Sequence, residues 1–239
     1  MTSAVRLVTD PTDPAIVRFA ELLLDTFADP DICLPPDQIA AFLADPGPER
    51  SCHLLLLTEG TAVVGGTFFS CAWMTGAGFS EYMVLAPGAR GGGYAKVLMT
   101  ERKRVLDEAA RTLGHKACLG LFIECLDPAR APHAVVQSER ETAMDAAARQ
   151  RFFHRAGFRR VDAPYRQPPL APGQAAITYM DLLFLPWAPV VTKWLEVPFI
   201  LETVRTVYQG WVPETWEEDL QELAAGLGAG PVPLVTDWV

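Results

Sequence analysis

The stretch Glu81-Tyr82-Met83-Val84-Leu85-Ala86-Pro87-Gly88-Ala89-Arg90-Gly91-Gly92-Gly93-Tyr94-Ala95-Lys96 sets an apolar run directly before a turn built almost wholly of small residues. Apolar positions then recur at Leu98, Val105, Ala109 and Leu113, so the turn opens a helix from Tyr94 that Gly114 stops. A strand, a glycine turn and a helix in that order let several backbone N–H groups converge on one anion, with the helix dipole adding attraction. A plain strand-to-helix turn is the competing reading. Two phosphate signatures fail at single positions. A Walker A loop needs Lys and then Ser or Thr after its last Gly, where Tyr94 and Ala95 stand, and a dinucleotide fingerprint needs Gly or Ala where Lys96 stands.

Working outward, Ala4 to Val8 reads as a strand, and Asp13-Pro14 starts a helix with Ile16, Phe19, Ala20, Leu23 and Leu24 at helical spacing. Asp37 to Leu43 is a second helix. His53 to Leu57 and Ala62 to Cys71 form a hairpin across Glu59-Gly60, and Phe79 to Leu85 is the strand that enters the turn. Ala117 to Cys125 is a nearly unbroken apolar run, the pattern of a strand covered on both faces. Ser138 and Glu141 have capping-box spacing ahead of a single helix that reaches Ala156, with Gly157 as its stop. Phe158 to Val161 and Ile177 to Leu185 are the last strands. This order predicts an α/β domain. From Trp187 the character shifts: Lys193 to Tyr208 is amphipathic, with Leu201, Val204 and Tyr208 aligned and Pro198 starting or breaking a helix. Glu214 to Leu223 sets Glu217, Glu218 and Asp219 in a first helical turn. The tail fits a domain cap, a cover for a sheet edge or an oligomer interface, the last as in a homodimer.

The chain has 239 residues, is 50% hydrophobic and carries 20 basic against 29 acidic side chains, a formal net charge of −9. It has enough apolar surface for a large core, and its acidic balance argues against a nonspecific nucleic-acid binder. Residues 187–239 hold 2 basic and 8 acidic side chains, whereas Arg90 to Lys116 holds 7 basic and 3 acidic, a local surplus around the turn. Five cysteines, an odd count without C-x-x-C spacing, read as reduced thiols, three of them (Cys71, Cys118, Cys125) in apolar runs. Thr61 to Ser80 carries no charge, but glycines at 65, 66, 76 and 78 make it two strands and a turn instead of a membrane span. These features predict a soluble cytoplasmic protein without nucleic-acid or membrane partners.

The junction resembles the Gcn5-related N-acetyltransferase (GNAT) family, whose motif sets Arg or Gln, two residues, Gly, one residue, then Gly or Ala; here these are Arg90, Gly93 and Ala95. A second hallmark follows about sixty residues later, a helix ending in aromatic-x-x-x-Gly-Phe, here Phe153-His154-Arg155-Ala156-Gly157-Phe158. The resemblance spans residues 4 to about 186 and the element order agrees with it. It implies a three-layer α/β/α domain over 1–186 with a central mixed, mostly antiparallel sheet, and an acidic, mainly helical C-terminal extension over 187–239.

The resemblance further implies acetyl-CoA as cosubstrate, no metal, and direct attack of an amine on the thioester. Backbone groups of Met83, Val84 and Leu85 would hold the pantetheine, and N–H groups of Arg90, Gly91, Gly92, Gly93, Tyr94 and Ala95 the pyrophosphate. A backbone N–H near Leu85 would stabilise the oxyanion. The amine must lose a proton, and two carboxylates are candidate bases. Glu81 stands four residues before Leu85, on its face by the two-residue period of a strand; Glu124 interrupts the end of an apolar run, where burial would raise its pKa. A solvated or ion-paired carboxylate is the alternative for each. Many members carry a Tyr acid where this chain has Phe153, and an Asn where it has Ala146. Tyr82, Tyr94, Tyr165 and Tyr179 are the remaining phenols that fit the acid role. The expected function is acetyl transfer to an amine of a small molecule; a non-catalytic acyl-CoA-binding or interaction module, or a peptide or protein acceptor, are the alternatives. The four histidines form no nucleophile or metal pattern, and Trp73, Phe68 and Phe69 suit the core better than a pocket lining.

Overall fold

The uncharged run from Thr61 to Ser80 folds as most of one strand, a turn and the start of the next. It carries no charge because both faces of the strand are covered: Phe68 and Phe69 point to opposite faces and neither has any exposed surface. The computed structural model of the chain describes residues 3–27, 32–142, 145–170, 174–188, 193–209 and 216–239. It divides into two compact units, Met1–Cys118 and Leu119–Val239. No helix among the described residues is long and apolar enough to cross a membrane.

The first unit contains β1 (Ser3–Leu7), α1 (Ala15–Thr26), α2 (Pro36–Ala44), β2 (Arg50–Glu59), β3 (Ala62–Ala72), β4 (Gly78–Leu85), a short 3-10 turn (Pro87–Ala89) and α3 (Tyr94–Thr112). The strands pair antiparallel in chain order. One face of the sheet takes α1 and α2: Phe19 lies against Gly66, whose missing side chain makes room for it, and Phe42 packs on Phe68 with ring centroids 6.5 Å apart. A Cβ at Gly66 would stand 2.8 Å from the Leu55 carbonyl, so only glycine fits there. The other face takes α3, whose Arg102 reaches Thr67. The unit is therefore layered α/β/α.

The second unit contains β5 (Gly120–Leu126), α4 (His133–Thr142), α5 (Ala146–Arg155), β6 (Arg159–Val161), β7 (Met180–Pro186), β8 (Trp194–Leu195), α6 (Val197–Tyr208), α7 (Trp216–Leu227) and β9 (Val232–Val235). Its strands run in the order β5-β7-β6-β9-β8, each pair antiparallel. The whole is an α/β fold with mostly antiparallel pairing. β5 begins at Gly120, later than the apolar run suggests, and the Cys118 amide turns to the Asp107 carboxylate at 3.1 Å.

Two expectations change here. The single helix from Ser138 to Ala156 is two helices, with Ser138 and Glu141 inside α4. The cap that starts α5 is Asp145, whose carboxylate accepts the Ala148 amide at 3.0 Å. The C-terminal extension has its helices, with Pro198 in the first turn of α6 and three acids in the first turn of α7, but it also carries strands. β9 pairs with β6 through Arg160↔Val235 and Val161↔Leu234, with Val232 and Leu234 buried. Four residues are too short a run for alternation to announce a strand. Of the three roles open to the tail, two are seen within this unit: β9 covers the edge at β6, and α6 caps the sheet through Phe199 on Phe122 and Phe184. The residues 210–215 that lead into α7 lie outside the described set.

Candidate active site

The glycine turn is held from both sides. The Ala89 amide donates to Ala86 O at 2.9 Å, and Arg90 Nε donates to Leu85 O at 3.1 Å, which ties the turn to the end of β4. Gly91 and Gly93 have φ of 80° and 81°, the left-handed region that side chains resist, and Gly93 is the N-cap of α3. A Cβ at either would meet nothing within 4 Å, so the requirement for glycine is conformational and the turn presents bare backbone. Gly93 O takes the amides of Lys96 and Val97. Among the described residues no backbone carbonyl takes up the amides of Gly91, Gly92, Gly93, Tyr94 or Ala95. The Tyr94 hydroxyl is tied to Glu59 at 3.2 Å. A row of free amides at a helix N-terminus is the donor set a phosphate needs.

The surplus of cations in this segment is not aimed at the turn. Arg102 is buried, Lys103 pairs with Asp107 at 2.6 Å, and Arg104 pairs with Glu101 and Glu108. Arg111 lies in the last turn of a helix of 19 residues and Lys116 beyond it, about 28 Å along from the glycines. Arg90 and Lys96 are the cations at the turn itself.

Along β4 the backbone alternates. Ala86 donates to Val64 O at 2.9 Å, so in the antiparallel pattern Val84 exchanges its hydrogen bonds with Gly66, while Met83 and Leu85 turn theirs away from β3. The Leu85 carbonyl is the one that Arg90 engages. Of the three residues expected to offer free backbone, Val84 has its groups in the ladder.

The pairing shifts by one residue between Phe68↔Tyr82 and Phe69↔Ser80, which makes Glu81 the extra residue of a β-bulge. The two-residue period expected to carry Glu81 to the face of Leu85 is broken at that point. Its carboxylate accepts from Ser70 Oγ at 2.7 Å, and Ser70 lies on the face of Phe68 and Tyr82, opposite Thr67 and its partner Met83. Nearby on the α3 side, Arg102 donates through Nη1 to Ser80 at 2.6 Å and Thr67 at 3.0 Å; burial lowers its pKa to about 10 against the pull of the Glu81 charge.

Glu124, on β5, is enclosed differently. Oε1 accepts the hydroxyls of Tyr165 and Tyr208, each at 2.5 Å, and Oε2 accepts Gln167 Nε2 at 2.9 Å. Burial pushes the carboxyl up to about 7, and the three donors, which favour the charged form, hold it back. Both phenols are pushed well above their ordinary range by burial and by the Glu124 charge, so they stay protonated and donate. Neither a solvated strand-end carboxylate nor an ion pair describes this: the partners are neutral. A carboxyl that titrates near neutrality is suited to accept a proton from an amine.

Tyr208 and Gln167 were not legible as site residues. The signal for Tyr208 was a phenol on the apolar face of an amphipathic helix, since a buried hydroxyl takes a partner. Phe153 packs edge to face on Phe158, ring centroids 5.2 Å apart, and has no proton to give. His53 is stacked on Phe69 and burial lowers its pKa to about 4, so it stays neutral; Ser51 Oγ lies 2.9 Å from its Nε2. All five cysteines are free thiols. Phe68 and Phe69 are core, whereas Trp73 is 45% exposed. Among the described residues no three His, Cys, Asp or Glu side chains gather as a metal site.

In sequence, no family model and no curated protein matches the chain. In structure it is similar over 92% of its length, and 95% of the other chain, to a protein from Bacteroides thetaiotaomicron assigned to the GNAT acetyltransferases, with TM-score 0.52 and 16% identity. The ribosomal-protein-S18-alanine N-acetyltransferase from Escherichia coli matches 77% of the chain and 94% of its own, with TM-score 0.50 and 10% identity. A tandem GNAT protein of the clavulanic acid pathway matches 70% of the chain and 46% of its own, with TM-score 0.52 and 16% identity.

Proposed function

The fold is that of the Gcn5-related N-acetyltransferases, and on that premise we infer that the chain transfers an acetyl group from acetyl-CoA to an amine of a small molecule. The observation that carries this reading is the glycine turn, with its consecutive amides left open at the N-terminus of α3. In this reading the backbone from Gly91 to Ala95 holds the pyrophosphate, the Arg90 N–H that the sequence offered as a further donor being turned to Pro87 O at 3.3 Å, and the outward-turned groups of Met83 hold the pantetheine. The Leu85 N–H, also turned away from β3, is the donor for the oxyanion.

Glu124 is the base in preference to Glu81. Oε1 already takes two hydroxyls and Oε2 one amide, which leaves an acceptor position on Oε2 for the proton of an incoming ammonium. The neutral amine then forms the new N–C bond, the C–S bond breaks with its electron pair leaving on sulfur as the thiolate, and the second proton of the attacking nitrogen passes to solvent as the amide forms. Phe153 supplies no acid, so that thiolate departs unprotonated or takes its proton from solvent.

The test is calorimetric titration with acetyl-CoA, followed by thiol release in the presence of an amine panel that includes peptides with free N-termini. Binding and release with small amines support the reading. Release with peptides alone moves the acceptor to a peptide or protein. Binding without release favours the acyl-CoA-binding module, for which Phe153 is the specific observation, and absence of binding removes both.

A further inference from the structure

The carboxylate of Glu124 is surrounded by three donors from two places in the second unit. Tyr165 and Gln167 come from the irregular segment after β6, and Tyr208 is the last residue of α6, well beyond residue 186 where the family likeness in sequence ends. Each donor is fixed by its own element. Gln167 exchanges both backbone hydrogen bonds with Ile177, at 2.9 Å each. α6 lies on the face of β5 that carries Glu124: Phe199 packs on Phe122 at 5.7 Å and on Phe184 at 6.0 Å, and Phe122 is two residues before Glu124 on the same side of the strand. Ile200, Thr203, Val204 and Val207 are buried along the helix that leads from Phe199 to Tyr208. Opposite Glu124 on β7 stands Leu182, which is buried and apolar. The groups that face the carboxylate from β7, from the segment after β6 and from α6 are therefore one leucine, two phenols and one amide, with no cation among them.

We propose that Tyr208, with Tyr165, is a positioning residue for Glu124: its hydroxyl orients the carboxylate and keeps it ionised, which makes the C-terminal segment part of the machinery for proton transfer. The proposal rests on the reading of Glu124 as the base. Its logic is that of a charge stabilised by hydrogen bonds alone. Without a cation, the ionised form exists at neutral pH only through the donors, and each donor removed favours the protonated acid, which cannot accept a proton from the amine. Two hydroxyls on Oε1 also fix the rotation of the carboxylate, so that the remaining acceptor site on Oε2 points one way.

The test is Tyr208→Phe, which keeps the ring and removes the hydroxyl, with Tyr165→Phe as a second variant should the first fold poorly. The carboxyl of Glu124 is titrated directly by carbon NMR of labelled protein, and the acid limb of kcat/KM is measured with an amine that the wild type acetylates. Loss of one donor is expected to raise the carboxyl pKa by about one unit and to move the acid limb with it. With a wild-type value near neutrality that lowers kcat/KM about fivefold at pH 7, and the two proteins converge in alkali. A carboxyl titration that does not move, or an acid limb that stays while the carboxyl shifts, overturns the proposal. If the carboxyl shifts but the wild type acetylates no amine, the coupling of Tyr208 to Glu124 stands and the acetyl-transfer reading falls.

Discussion

Glu124 has three neutral hydrogen-bond donors and, among the described residues, no cationic partner, and its behaviour with pH follows from that. Its carboxyl is raised from an ordinary 4.5 to about 7 by burial. A carboxyl raised on folding stabilises the native state while it is protonated, so its contribution is complete below about pH 4.5 and is lost as the pH rises to about 7. Replacement by a group that does not titrate removes this dependence. The Tm of Glu124→Gln relative to the wild type is therefore expected to rise between pH 5 and pH 8, as followed by circular dichroism melting; a difference that is flat or falls across that window contradicts the burial of the charge. At the same scale, the bulge at Glu81 shows why counting by two along a strand is unsafe. The extra residue carries no mark in the sequence, because neither Gly nor Pro stands there. By contrast, Glu124 stands out as a carboxylate in an apolar run, and its cost of burial is visible before any coordinates.

The strand, turn and α3 form one element whose chemistry is almost wholly local. Gly91 and Gly93 are left-handed, and the side chains they lack would point into open space. A substitution here acts through backbone strain and through obstruction of the amides, and the two effects separate with a suitable control. Gly114, which stops α3, has φ of 89° and an equally open surrounding, but sits at the far end of the helix. Gly93→Asn and Gly114→Asn are each expected to cost about 1 kcal/mol of left-handed strain, or roughly 2–4 °C in Tm. Only Gly93→Asn is expected to weaken acetyl-CoA binding, by about tenfold or more in calorimetry. Equal affinities in the two variants would dissociate the turn from the ligand. The segment from Ser138 to Ala156 shows the opposite case at this scale: two polar residues at capping distance fall inside α4, and the cap that matters is Asp145, because its short carboxylate reaches the Ala148 amide.

For the molecule as a whole, each unit has its own apolar core, and the thiols report on both. Cys52, Cys71 and Cys118 are buried in the first unit and Cys125 in the second, whereas Cys33 is partly exposed. Burial raises the Cys52 and Cys125 thiols to about 12 and the Cys71 thiol higher still, so these stay protonated at any working pH. A thiol reagent at pH 8 is expected to modify no more than Cys33 rapidly in the native protein and all five cysteines after denaturation; rapid reaction of a second thiol would show that one of the cores opens. The order of the strands as far as β7, the glycine turn and the acidic tail were legible because each depends on residues adjacent in the chain: periodicity, a glycine run, a local sum of charge. The environment of Glu124 was not, because Tyr208 reaches it across 84 positions of sequence. The same holds for the distribution of cations on α3, where the sequence counts charges and folding decides which are paired with neighbours or turned inward, as Arg102 is. Sequence by itself determined most strands and helices as far as β7 and the bare glycine turn before α3, since backbone conformation responds to near neighbours. Tertiary structure alone decided which carboxylate is enclosed by neutral donors and that the C-terminal segment supplies one of them, because burial and hydrogen bonding join residues that only the packed chain brings together.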